Sequence, residues 1–503
     1  MQHRSVTKWL LAGIILAVFV ETIQLPIDPD LGWHLRYGQY FFQTGHVLRE
    51  NIISYVWPQY HWVQASWGYD LLLYQIFTHF SFWGLSVSAA LLTVITFLIL
   101  TWPIYRYGAR QFLFLALMFT AIVSPIWGGG MRTPSLSTPF MAMAIVLGDR
   151  ILRPAKHRLP AWVPWMLPFL FLVWANVHGG FALGLILLTI HLFGYGLLFI
   201  LRRRTNISLI LPDKRTCLLY GLVLLLSWIT PLISPWGIRI YEETFKHTSN
   251  TNLAIISEWM PLWDMPIEMC VIGILTLATI IVMLLKKPLQ QIPYALMLLV
   301  AIYLGVSANR FVIILGVLAT YIMAQRLTDL RIPIFNTSWG KWVSTLCLAV
   351  VVPLDVFFFR RFFPPPQLLV FHYTWNDFCN VTLYCEEKIT QLMLADPPKG
   401  NGFHPYNYGG YLAWRVPQVK TFIDGRMVAW EDHGKTPPAV EGDWIFMQRG
   451  PVAFRRFDSE YHFQWAIVPT NSDITDYLNT LVANSLWQNR YQGKLYSYFV
   501  KNP

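Results

Sequence analysis

Apolar runs of membrane-spanning length recur along the chain, each cut off by a short polar or basic stretch. A helix needs about 20 mostly apolar residues to cross the hydrocarbon core. By that measure the first run extends from about Leu10 to Leu25, behind Arg4 and Lys8. Further runs begin near Phe82, Phe112, Pro134, Trp162, Phe181, Leu218, Ile267, Ile292, Phe311 and Val343. The pattern predicts about eleven helices, with soft boundaries where Pro231, Pro235 and Pro288 interrupt or flank a run. Pro26, Ile27 and Asp28 follow the first run without a small-x-small cleavage pattern, so that run reads as a retained helix.

Two segments break the pattern. The first outer loop, 26–80, carries an amphipathic stretch around Trp67 to Phe80 suited to the membrane surface. The tail, about 360–503, is long enough for a domain of its own and gives the partition 1–359 and 360–503. Within the tail, Tyr411 to Val416 and Val419 to Arg426 read as strands near turns, which predicts a compact α/β unit. The fold class expected is a polytopic α-helical membrane protein with a C-terminal extracytoplasmic α/β domain.

Composition agrees with this picture. Hydrophobic residues make up 55% of the 503 and charged residues 13%, about half the charged share of a soluble chain. A cytosolic enzyme, a disordered scaffold and a nucleic-acid binder are thereby excluded. The net charge of +11 sits mainly in alternate short loops. These carry Arg106 and Arg110; Arg150, Arg153, Lys156 and Arg158; Arg202 to Arg204, Lys214 and Arg215; Lys286 and Lys287; Arg326, Arg331 and Lys341. Short loops rich in Lys and Arg stay cytoplasmic. The N-terminus is therefore expected inside and the C-terminus outside, in the cytoplasmic membrane. Cys217, Cys270 and Cys347 fall in or beside apolar runs, whereas Cys379 and Cys385 both fall in the tail, where a disulfide and two free thiols are both open.

The densest candidate chemistry follows the first run: Ile27-Asp28-Pro29-Asp30-Leu31-Gly32-Trp33-His34-Leu35-Arg36. Proline between the acids favours an extended Asp28 and keeps the carboxylates off a common helical face. Asp30 is placed to cap a helix starting at Leu31, with Asp28 solvated. Alternatively, one Asp acts as general base while the other orients it or binds a cation.

This acidic motif after a first helix, with Trp33-His34-Leu35-Arg36, Gly45 and Ser54-Tyr55, resembles the first outer loop of the GT-C superfamily. Those are membrane glycosyltransferases that draw a sugar from a polyprenyl- or dolichyl-phosphate carrier. The resemblance implies that Asp28 or Asp30 serves as the base or holds the acceptor. It also implies a lipid-linked sugar donor and a lipid, glycan or protein acceptor. Trp174 to Phe181, Ser234 to Gly237, Glu258-Trp259, Asn309-Arg310-Phe311, Tyr408 to Leu412 and Phe422 to Arg426 resemble a bacterial branch with the same topology.

By the topology, Asn176, His178, Glu258 and Arg310 fall at outer helix ends, on the side of Asp28. His178 either closes a helix end and a tight turn or contacts substrate. Arg310, an outer cation between apolar runs, grips a carrier phosphate or pairs with Glu258 or an outer Asp. Arg132, beside Gly128 to Gly130, carries the same ambiguity, and Glu258 is a second acid or an ion-pair partner. His34 joins the candidate substrate contacts. Asp424-Gly425 reads as a turn and Arg426 as its local partner, with active-site contact the alternative. No spacing is diagnostic of a metal, so a divalent cation on Asp28, Asp30 or Glu258 stays open. The rival functions are a transporter, a lipid-linked glycan polymerase or ligase, and a non-enzymatic assembly protein. The absence of an internal repeat weighs against the transporter.

Overall fold

The computed structural model describes residues 2–102, 115, 116, 119, 130–153, 160–205, 207–249, 256–285, 287–330, 371–430 and 450–503. The runs expected from Phe112 and Val343 lie outside the described residues, apart from 115, 116 and 119. In chain order the first helices are α1 (Gln2–Thr22), α2 (Leu31–Thr44), α3 (Trp67–Thr101), α4 (Thr133–Leu152), α5 (Met166–Ala175) and α6 (Phe181–Thr205). Then come α7 (Lys214–Ile229), α8 (Arg239–Ser249), α9 (Pro266–Leu284), α10 (Ile292–Ser307) and α11 (Val312–Leu330). The tail holds α12 (Trp375–Thr382), α13 (Glu387–Ala395), α14 (Tyr406–Arg415), α15 (Gly450–Tyr461) and α16 (Asp473–Ala483). Its strands are β1 (Gly402–Phe403), β2 (Trp465–Pro469), β3 (Trp487–Gln492) and β4 (Tyr496–Lys501).

The chain divides into two compact units. The described residues of 1–25, 86–244 and 256–368 form the first, and those of 26–85, 245–255 and 369–503 form the second. Helix α3 passes from one to the other and is broken at Ser81, whose φ of 52° and ψ of −151° interrupt the helical run. The break separates the amphipathic stretch ending at Phe80 from the apolar stretch beginning at Phe82.

Among the described residues of the chain, five helical stretches are long and apolar enough to cross a membrane: 67–101, 133–152, 181–205, 214–233 and 288–307. Shorter apolar helices cover Leu11–Val20, Val163–Ala175 and Glu268–Leu284. In the first unit α6 packs on α10, α10 on α11, and α4 on both α6 and α11. Large apolar side chains such as Phe169, Leu218, Leu225, Ile274, Leu299 and Tyr303 remain exposed, as lipid-facing positions require.

One buried acid lies inside this bundle. Asp149 of α4 accepts hydrogen bonds from the hydroxyls of Tyr294 and Tyr321, and Arg153 Nη2 stands 2.8 Å from its Oδ2. Arg153 also donates to Gln325 Oε1 at 2.7 Å, so α4, α10 and α11 are tied at one end. A carboxylate at membrane depth is costly without such donors, and here it has three.

The second unit is built on a four-stranded sheet of order β1-β2-β4-β3. β1 pairs parallel to β2, with Gly402 opposite Trp465, and β2–β4 and β3–β4 pair antiparallel. Its core joins Trp33, Tyr37, Leu48, Val56 and Trp62 of the loop to Phe403, Phe422, Trp430, Phe454, Phe463 and Phe499 of the tail. The loop 26–85 therefore folds with the tail as one hydrophobic core. Cys379 and Cys385 form a disulfide across a separation of six residues.

One expectation for the tail is corrected. Residues 411–415 lie in α14, and 416–426 are irregular apart from a single bridge between Thr421 and Ser54. Tyr408, Tyr411 and Leu412 are all buried, a spacing of three and four that faces one side of a helix. Aromatic and β-branched content suggested strands, and the packing partner decided otherwise. That partner is α2, and the two helices meet glycine to glycine: a Cβ on Gly32 would overlap the Gly410 carbonyl oxygen.

Candidate functional site

In the second unit the acidic motif forms the entry to α2. Asp28 is buried, and its Oδ1 accepts from the Asp30 backbone N–H at 3.0 Å, closing a short turn. Asp30 takes the N-cap position, and its main-chain oxygen accepts from His34 N–H at 3.2 Å. Its carboxylate makes no cap bond to the helix. A Cβ on Gly425 would overlap that carboxylate, so the absence of a side chain there is what admits Asp30.

Beneath Gly425 lies a buried ion pair. Asp424 Oδ1 accepts from Arg426 Nε at 2.8 Å and from its backbone N–H at 3.1 Å, and Oδ2 accepts from Nη2 at 2.6 Å. Nη1 donates to the Tyr37 hydroxyl at 3.1 Å. Burial works against the guanidinium charge, and Asp424 followed by Tyr37 more than offsets it, raising its pKa. Local pairing is the geometry found for Arg426. Its single charge is matched by Asp424, and none is left over for a ligand.

His34, one helical turn beyond Asp30, is held differently. Its Nδ1 lies 2.5 Å from Asp70 Oδ1, and Gln64 Nε2 donates to Asp70 Oδ2 at 2.7 Å. The ring stacks on Trp33 at 3.6 Å between centroids and meets Tyr69 edge-on at 4.9 Å. Sequence reading selected His34 and missed Asp70 and Gln64. An Asp in the first turn of an apolar helix looks like an ordinary dipole partner, and nothing local announces a contact 36 residues away.

In the first unit the remaining candidates share one end of the bundle. Arg132 stands at the N-cap of α4, and the 178–180 turn leads into α6. Arg310 lies in the 3₁₀ turn Asn309–Phe311, just before α11. The opposite ends of these same three helices carry Arg153, Arg202 to Arg204 and Arg326.

His178 closes its turn. Its Nδ1 accepts from Gly180 N–H at 3.1 Å and lies 2.6 Å from Ser137 Oγ, which also accepts from Trp174 Nε1 at 2.7 Å. With Nδ1 accepting, the ring proton falls on Nε2. Asn176 donates to Leu172 O at 2.8 Å and ends α5. Both residues fit the turn-closing reading. Ser137 and Trp174, which complete the network, carried no signal beyond Trp174's place in the quoted motif.

Arg132 forms a salt bridge with Glu258. Arg310 makes no hydrogen bond or ion pair with a side chain among the described residues. Its guanidinium lies over the Trp259 ring, 4.3 Å from the centroid, and Trp259 meets Phe311 edge-on. Burial lowers the Arg310 pKa, Glu258 counters and Arg132 adds to the fall. An arginine nevertheless remains a cation at neutral pH. Glu258 thus pairs with Arg132 and also acts on Arg310. Among the described residues, no three His, Cys, Asp or Glu side chains gather as a metal-ligand set.

The backbone has known counterparts. An archaeal oligosaccharyltransferase, AglB from Archaeoglobus fulgidus, solved with an inhibitory peptide and dolichol-phosphate, is similar over 97% of this chain and 74% of its own. Its TM-score is 0.60 at 11% identity. ArnT from Cupriavidus metallidurans, solved with undecaprenyl phosphate, is similar over 99% of both chains with a TM-score of 0.56 at 13% identity. Both are GT-C superfamily enzymes. The chain has the GT-C fold. No protein-family model and no curated protein matches the sequence. The expected resemblance therefore holds at the level of the fold, and the chemistry rests on the residues described above.

Proposed function

We propose that this protein is a membrane glycosyltransferase that moves a sugar from a polyprenyl-phosphate carrier to an extracytoplasmic acceptor by a single, inverting displacement. The observation that carries the reading is Arg310: a half-buried guanidinium backed by Trp259, in the field of Glu258, which itself forms a salt bridge with Arg132. A cation so placed suits the phosphate of a lipid carrier, which leaves as an anion during transfer. The solved structures of the same fold hold dolichol-phosphate and undecaprenyl phosphate.

In this reading the acceptor hydroxyl is deprotonated by Asp30. Asp28 is the weaker candidate, because it is buried and one of its oxygens closes the turn. The base abstracts the proton as the acceptor oxygen attacks the anomeric carbon and the carrier phosphate departs with the bonding pair. Orientation is part of the proposal. The basic helix ends face the cytoplasm under the positive-inside rule, and the Cys379–Cys385 disulfide suits an oxidising exterior.

The test is transfer by the purified protein in liposomes, using a radiolabelled undecaprenyl-phosphate sugar and membrane extract as acceptor. Asp30→Asn should lower kcat by about a hundredfold or more, with the thermal midpoint unchanged. Full turnover by both Asp30→Asn and Asp28→Asn would end the proposal that an acid of this motif is the base.

A further inference from the structure

We propose that the His34–Asp70 pair is the proton sink of the transfer, accepting on His34 Nε2 the proton that Asp30 takes from the acceptor. The proposal rests on the glycosyl-transfer reading above and extends it to two residues that reading does not use. Three observations carry it.

Asp70 is fully buried, and its second oxygen is filled by the Gln64 amide, a donor. Its first oxygen therefore faces His34 Nδ1 as an acceptor, which puts the imidazole proton on Nδ1 and leaves a lone pair on Nε2. Nε2 has no partner among the described residues and does not fall among the sealed, unpartnered polar atoms such as Trp33 Nε1 and Trp62 Nε1. His34 follows Asp30 by four residues at the start of α2, the spacing that puts two side chains on one helical face about 5–6 Å apart at Cβ.

Among the described residues, the surroundings add no competing base in contact with the ring. Tyr69 of α3 meets the ring edge-on, and Trp33 stacks on it from its own helix. Tyr37 of α2 is tied to the mutually neutralised Asp424–Arg426 pair. α14 meets α2 at Gly410. Among the described residues, Asp70 is the charged side chain in contact with the imidazole.

The step balances. The acceptor oxygen bonds to the anomeric carbon as the anomeric C–O bond to phosphate breaks, and that bonding pair leaves with the phosphate. The hydroxyl proton passes to Asp30 and then to Nε2, and Asp70 neutralises the imidazolium. His34 resets by losing the proton to solvent. Asp70 acts through His34 and is a positioning residue.

The experiment uses the full chain in liposomes with an undecaprenyl-phosphate sugar, comparing wild type, His34→Gln, His34→Ala and Asp70→Asn. His34→Gln should lower kcat about tenfold to a hundredfold with KM little changed and should flatten the acid limb of the pH profile. Added imidazole should restore His34→Ala. Asp70→Asn presents an amide N–H to Nδ1, forces the proton onto Nε2, and should lower kcat without imidazole rescue. A second arm reads the tautomer directly, by ¹⁵N NMR of histidine-labelled protein, with the His34 signals identified by their loss in His34→Gln. An Nε2–H tautomer in the wild type overturns the proposal whatever the activity. Wild-type transfer that persists at full rate in both His34→Gln and Asp70→Asn overturns it and leaves the glycosyl-transfer reading standing. No transfer by the wild type overturns both.

Discussion

Arg426 and Arg310 lie in different units and teach opposite lessons about a poorly hydrated arginine. Arg426 gives Nε and Nη2 to Asp424 and Nη1 to Tyr37, and its acid is as buried as it is. Arg310 has an aromatic face behind it, and the acid in its field is held by Arg132. A buried charge is tolerated when paired and hydrogen-bonded. The first arginine meets that condition within its own turn. The second meets only part of it, since among the described residues no side-chain anion bonds to it. Saturation marks a residue that holds the fold, and a shortfall marks one that waits for a ligand.

The contrast is broken most directly at the saturated pair. Arg426→Ala leaves Asp424 buried with little compensation and should cost about 3–5 kcal/mol, read as a large fall in the thermal midpoint of tryptophan fluorescence. The double variant Asp424→Leu with Arg426→Met should recover most of that loss. If Arg426→Ala kept its thermal midpoint and lost only turnover, Arg426 would belong with Arg310.

Next in size is a pH effect in the same unit. His404 is fully buried, accepts from Phe422 N–H through Nε2 at 2.7 Å, and places Nδ1 2.9 Å from Pro405 O. Burial holds its pKa down to about 4, with Pro405 and then Asp424 opposing. The folded pKa is below the unfolded value of about 6.5. The stabilisation is therefore present above about pH 6.5 and is lost as pH falls towards about 4. The difference amounts to about 3 kcal/mol. Thermal midpoints measured across that range should fall in the wild type and fall less steeply in His404→Gln.

These assignments differ in how far the sequence reveals them. The spanning helices are legible because lipid imposes one requirement, a long apolar run, that local composition satisfies by itself. Arg310 is legible for a related reason: a cation between two apolar runs needs an explanation wherever the chain goes. Asp70 and Gln64 are not, because their meaning comes from His34 on another helix. The joint core of loop and tail is equally hidden. Trp33 and Phe422 share a cluster across almost the whole chain, and no periodicity encodes that. The helix at 406–415 was obscured by its aromatic content, and the contact between Gly32 and Gly410 explains why α14 forms against α2. Cys379 and Cys385 show the middle case: their spacing permitted a disulfide and the fold closed it.

At the unsaturated arginine the expected effects are on turnover. Arg310→Ala removes one charge-assisted contact, worth about 1.5–3 kcal/mol. Transfer should fall roughly tenfold to a hundredfold while the thermal midpoint stays close to wild type. Arg310→Lys should recover part, because a point charge replaces a planar fork. A fall in stability equal to that of Arg426→Ala would erase the distinction.

The smallest effect should come from the Arg132–Glu258 bridge beside it. The two side chains keep 25% and 32% of their surface exposed, so water screens the pair. Glu258→Gln should therefore change stability by less than about 1 kcal/mol. Its effect on Arg310 is the sharper measurement. Removing the Glu258 charge takes a counter-charge out of the field at Arg310, so the affinity for undecaprenyl phosphate should rise in Glu258→Gln, and most at low salt, where the Debye length is longest. If affinity instead fell, Glu258 would be orienting Arg310 for the phosphate, and the guanidinium's apparent shortfall of partners would be part of a prearranged three-residue clamp.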